Sequence, residues 1–144
     1  MAQLKLLITQ ILTPKGGNSL SKVNPIVAHR TYQYIHLDYM KEVGAGNQEY
    51  EKDVTRQFID AIPRELSALE EAAKRNEFYV VREITHNLKT TVSVMGLDEL
   101  LQPLLDKIEY GEDVENLDQS IEHVSNICQK AVQEAQDFLL SITK

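Results

Sequence analysis

VENLDQSIEHVSNICQKAVQEAQDFLLSITK, residues Val114–Lys144, carries the cleanest pattern in the chain. Val114, Leu117, Ile121, Val124, Cys128, Ala131, Ala135, Phe138 and Ile142 follow one another at alternating steps of three and four. That spacing keeps one stripe of a 3.6-residue helix apolar and is the seam of a bundle helix. Working back from it, Val54, Phe58, Ile62, Leu66, Leu69 and Ala73 recur at three- and four-residue spacing, so a long amphipathic helix is expected there too. It should break near Lys74–Arg75–Asn76, and Pro63 inside it should kink it by removing a ladder bond. A second long helix is expected from about Glu77 to Met95, stopping at Gly96. A third starts at Asp98, read as its N-cap, carries Leu101, Leu104, Leu105 and Ile108, and ends at Gly111. A short lead-in helix around Leu37–Val43 ends at Gly44–Ala45–Gly46, where glycines can supply a left-handed terminus.

Four long helices with short connections must lie antiparallel to their neighbours. The expected fold is therefore all-α: an up-down-up-down four-helix bundle over residues 32–144, preceded by a short N-terminal arm or linker over 1–31. The arm combines a short apolar segment, Leu4–Leu12, with a turn-rich break from Pro14 to Ser19.

Composition narrows the function. A chain of 144 residues can bury roughly two-thirds of its unfolded surface, enough for a core without staples. One cysteine excludes a disulfide framework and multi-cysteine zinc modules. With 15 Lys and Arg against 22 acids, net −7, nucleic acid is not an expected partner. The run Leu6–Ile8 is too short to span a membrane and no cleavage site follows it, so a cytoplasmic protein is expected.

His86 is the residue to examine. At 100° per residue from Val81, the set Val81, Ile84, Leu88, Thr91, Val92 and Met95 clusters near roughly 330°, while His86 falls at about 140°, facing solvent. Tyr79, Arg82, Lys89, Thr90 and Ser93 share its face within about 60°. Arg82, four residues before, and Lys89, three after, can both reach its surroundings. An exposed imidazole between two cations attracts anions, and those cations should keep the ring neutral and nucleophilic near neutral pH.

The stretch Ile84–Glu109, ITHNLKTTVSVMGLDELLQPLLDKIE, resembles the signature of histidine-containing phosphotransfer (HPt) domains. That signature runs His-x-Leu-Lys-Gly-Ser/Thr, with a glycine ten residues after the histidine and a leucine-rich helix closing in Leu-Glu. His86, Leu88, Lys89, Thr91 and Gly96 fall on those positions, and Ile108–Glu109 stands in for Leu-Glu. Leu37–Phe78 is similar to the family's lead-in and first long helix, and the likeness extends over about residues 34–142.

The resemblance implies a phosphorelay intermediate that accepts a phosphoryl group on His86 from an aspartate of one receiver domain and passes it to another. It implies Lys89 as the phosphoryl-assisting cation and Glu109, with an offset of one residue, as a group orienting the ring. Arg82, Thr90, Ser93 and Tyr79 would contact the phosphoryl group or the partner. Partners would be response-regulator receiver domains and a hybrid sensor histidine kinase. The Mg²⁺ of the reaction belongs to the receiver, so no cofactor or metal is expected on this chain, which is expected to be monomeric. One position departs from the pattern: Thr90 replaces the glycine four residues after the histidine. A branched side chain there should alter partner choice or slow transfer, unless its hydroxyl donates to the phosphate.

Two rivals stand beside this reading. Glu83 and His86 have the Glu-x-x-His spacing of di-iron bundles, but no second copy exists, and adjacent Glu122 and His123 point about 100° apart. A non-catalytic helical interaction module would fit the bundle and its acidic surface, but it leaves the His86 neighbourhood a coincidence. His29 and His36 have no cysteine or histidine partner at ligand spacing, and His123, flanking the final seam, is expected in solvent. Cys128 lies on the seam and should behave as a small buried hydrophobe. Gly16–Gly17 and Gly44–Ala45–Gly46 lack the lysine or spacing of a phosphate loop, so no nucleotide site and no kinase activity is expected.

Overall fold

The structure, a computed structural model, describes residues 31–111 and 114–143. The arm expected over residues 1–31 lies outside the described residues except for Thr31. Five α-helices follow: α1 (Asp38–Gly44), α2 (Gln48–Lys74), α3 (Phe78–Ser93), α4 (Asp98–Tyr110) and α5 (Leu117–Ile142), with a single 3₁₀ turn at Val114–Asn116 before the last. The described residues contain no strand. The all-helical expectation holds.

Each boundary has a local cause. Asn47 is extended, and its side chain accepts from the Tyr50 N–H at 3.1 Å, capping α2 over a first turn that carries Glu49 and Glu51. Pro63 lies inside α2 without ending it. The helix closes in a Schellman arrangement. Asn76 takes the left-handed conformation (φ 57°), its N–H donates to the Ala73 carbonyl, and the Glu77 N–H reaches back to Ala72. That reversal produces the break expected at Lys74–Asn76.

Two caps differ from expectation. The left-handed residue directly after α1 is Ala45, at φ 50°, with Gly46 following at φ 86°. Asp98 is the first residue of α4 and not its cap; Leu97 holds that position and is fully buried. Burial of an apolar side chain there outweighs a polar cap, and Asp98 instead sets its charge in the first turn, where the helix dipole favours an acid. Between α3 and α4, Gly96 has φ 72°, and a Cβ on it would lie 2.5 Å from the His36 carbonyl oxygen. Glycine is required there twice over, by conformation and by close approach.

α2 packs against α3 and α5, α3 against α4, α4 against α5, and α1 against α2. The seam read from the sequence is the core of α5: Ile121, Val124, Cys128, Ala131, Ala135 and Phe138 are buried, and Leu117 and Ile142 are partly so. They meet Phe58, Ile62, Leu66 and Leu69 of α2, Val81, Leu88 and Val92 of α3, and Leu101, Leu105 and Ile108 of α4 in one apolar cluster.

The segment before α1 is fastened by main-chain bonds to one side chain. The Glu134 carboxylate accepts from the N–H groups of Gln33, Tyr34 and Ile35 at 2.9, 2.9 and 3.0 Å. Tyr32 donates its hydroxyl to Asp137 at 2.8 Å, Ile35 inserts into the core, and the His36 N–H donates to the Met95 carbonyl. Glu134→Ala strands three donors at once and is expected to cost about 1–3 kcal/mol in urea unfolding. Amide exchange should accelerate at Gln33–Ile35 while the α2 and α5 amides stay protected; uniform acceleration would show that the segment is not fastened locally.

Candidate functional site

His86 sits on α3 with its side chain 67% exposed, as the helical phase required. One turn along α3, Lys89 lies against α4. Its Nζ is 2.5 Å from Asp106 Oδ1 and 2.6 Å from Glu109 Oε1, with the Tyr110 ring centroid 4.6 Å away. Glu109 is buried, and its second oxygen, Oε2, lies 2.9 Å from His86 Nδ1. One carboxylate thus bridges the imidazole and the ammonium. Glu109 reaches the ring from the neighbouring helix, α4.

The charges explain the protonation pattern. Burial alone would raise the Glu109 carboxyl, but Lys89 and then His86 hold it below its ordinary range. Desolvation works against the Lys89 ammonium, yet hydrogen bonds and attraction from Asp106 and Glu109 raise it above the usual lysine value. An ionised carboxylate can only accept, so the proton of the His86–Glu109 bond belongs to Nδ1. In the neutral ring the lone pair is then on Nε2, which makes no hydrogen bond to any described residue.

This corrects the electrostatic expectation. The group in contact with the ring is a carboxylate and neither of the flanking cations, because Asp106 and Glu109 engage Lys89. Arg82 is exposed and forms no ion pair among the described residues. It lines a cavity of about 330 Å³ between α3, α4 and α5, together with Phe78, Lys107 and His123.

The other residues singled out earlier are only partly gathered. Thr90 is exposed, and Ser93 donates its hydroxyl to the Thr90 carbonyl at 2.7 Å. Tyr79, seven residues before His86 on the same face, is 67% exposed. Thr91, assigned above to the core face, is half-buried and donates to Glu65 of α2 at 3.1 Å, tying the two helices. Asp106 and Tyr110 were missed. The one hint in the sequence was for Asp106, which stands three residues before Glu109 and so on the same helix face.

Cys128 is buried, and burial, helped by the Glu65 carboxylate, pushes its thiol up to about 12, which leaves it a core residue. Among the described residues no group of three or more His, Cys, Asp or Glu side chains is placed to hold a metal ion. No helix among them is long and apolar enough to cross a membrane. No family model, curated protein or solved structure matches the chain.

Two outcomes follow from the Glu109 bridge. Long-range ¹⁵N–¹H NMR should find neutral His86 protonated at Nδ1; in Glu109→Ala that preference should disappear, and an unchanged tautomer would refute the bridge. The stability that Glu109 lends through its lowered carboxyl is complete above its unfolded value, near 4.5, and is lost as pH falls through the lower folded value. In urea unfolding, the gap between wild type and Glu109→Gln should therefore be widest near neutrality and close in acid.

Proposed function

We propose that this chain is an HPt-type phosphorelay intermediate, built as an antiparallel four-helix bundle of α2–α5 with α1 as its lead-in. The observation that carries the reading is an exposed histidine whose Nδ1 is held by a buried carboxylate, leaving Nε2 as the open nucleophile. The motif of Ile84–Glu109 supports it. The bundle is supported by the order of cross-helix contacts: His86 meets Glu109 and, further along α3, Lys89 meets the earlier Asp106, as in an antiparallel pair. Glu65 with Thr91 follows the same sense for α2 and α3, whose connection is only a few residues long.

In this reading the Nε2 lone pair attacks the phosphorus of a receiver's aspartyl phosphate in line. The P–O bond breaks, the aspartate leaves as carboxylate, and the phosphoryl group remains on Nε2. The proton stays on Nδ1, where the Glu109 carboxylate stabilises the positive charge the ring acquires. A second receiver's aspartate reverses the step. Metal chemistry is supplied by the receiver's Mg²⁺. Lys89 serves the phosphoryl oxygens, Thr90 and Ser93 border the approach, and Tyr79 and Tyr110 offer exposed aromatic contact to the docking receiver. A hybrid sensor histidine kinase is the source of phosphoryl groups, and the relay works in the cytoplasm as a monomer.

The decisive experiment is incubation with phosphorylated receiver domains, wild type beside His86→Gln. Acid-labile, alkali-stable label is expected on wild type alone, with His86→Gln still folded because the position is exposed. Folded wild type that stays unlabelled by every receiver tried would refute the relay and leave a helical interaction module.

A further inference from the structure

The Lys89 ammonium is engaged in a way that a phosphoryl-assisting cation cannot keep. Two carboxylates contact it, and the Tyr110 ring covers another side. With a neutral imidazole, the four groups His86, Lys89, Asp106 and Glu109 sum to one negative charge, which opposes arrival of a phosphoryl dianion. The cation must therefore be released toward the phosphoryl oxygens.

The two carboxylates differ in what release costs. The Glu109 side chain is 11% exposed, so parting it from Lys89 would leave a buried anion short of a partner. The Asp106 side chain is 42% exposed, so water can replace the ammonium there. A phosphoryl group on His86, three residues from Lys89 along α3, presents three oxygens at the distance i,i+3 neighbours reach. The Asp106 bond is the one that can be exchanged.

We propose that Asp106 is a positioning residue that latches Lys89 away from His86, and that phosphoryl arrival transfers the ammonium from Asp106 to the phosphoryl oxygens while Glu109 keeps its hold on the ring. The latch rests on His86 being the phosphoryl acceptor, as in the reading above. It makes acceptance slower than an unlatched lysine would allow, and it gives the lysine a place to return to when the phosphoryl group leaves.

The test uses the full chain and phosphoramidate, a small donor that needs no receiver. The Nε2 lone pair attacks phosphorus, the P–N bond of the donor breaks, and ammonia departs. The rate at His86 is read by peptide mass spectrometry, with His86→Gln as the blank for the other histidines. Asp106→Asn is expected to raise the rate about three- to tenfold, whereas in a Lys89→Gln background the same substitution should change it by less than about twofold. Asp106→Glu, which restores the charge, should return the rate toward wild type. Asp106→Ser replaces Asp106→Asn if that variant does not fold.

An equal gain in both backgrounds would mean that removal of a negative charge is the whole effect and would overturn the latch, as would no gain at all. Failure here is separable from failure of the relay. A coupled gain without labelling from any receiver keeps the latch and discards the relay, while receiver labelling without coupling does the reverse.

Discussion

The Glu109 carboxylate is the constraint on which the site depends. It is buried at the α3–α4 contact, where Oε2 takes the hydrogen bond of His86 Nδ1 and the Lys89 ammonium stands beside Oε1 as its counter-charge. From that single arrangement follow the protonated ring atom, the open ring atom and the position of the lysine. A carboxylate at the same place with a free oxygen would carry an uncompensated desolvation cost. A neutral amide there would leave Asp106 as the ammonium's only counter-charge.

Such an arrangement requires α3 and α4 to be fixed in register, and the connection between them does this. The turn at Gly96 can form only without a side chain, because the His36 carbonyl oxygen occupies the space a Cβ would need. The same backbone approach lets the His36 N–H donate to Met95. The segment before α1 is thus continuous with the support of the α3–α4 turn, while Glu134 and Asp137 hold it at α5. An apparently peripheral stretch helps set the geometry at His86.

How much of this was legible depended on whether the information was periodic or pairwise. The seam of α5 and the outward phase of His86 were read from spacing, since burial repeats every three or four residues and each apolar position reports the same face. The break after Lys74 was read as well, although the left-handed Asn76 that forms it was not singled out. Caps were less legible: Leu97 displaced Asp98 because tertiary burial at the end of α3 overrode a local preference. The charge state around His86 was misjudged for a further reason. Spacing shows Arg82 and Lys89 flanking the ring along one helix, but Asp106 and Glu109 approach from another, and contacts between helices leave no period in the sequence. Glu109 was reached through the family motif; Asp106 and Tyr110 had no such guide.

The clasp at Glu134 has a consequence for how freely the lead-in can vary. Its three bonds are made to main-chain N–H groups, which every residue but one possesses. The carboxylate is therefore indifferent to which side chains stand at Gln33 and Tyr34, and the recognition is written almost wholly on the side of the receiver of those bonds. Proline is the exception, having no hydrogen to give. Substitution should drift widely at Gln33, more narrowly at Tyr34, whose ring lies 6.0 Å from the Lys130 ammonium, and least at Ile35, which the core encloses. Glu134, contacting only backbone there, is the one member of the clasp whose identity the chain cannot exchange.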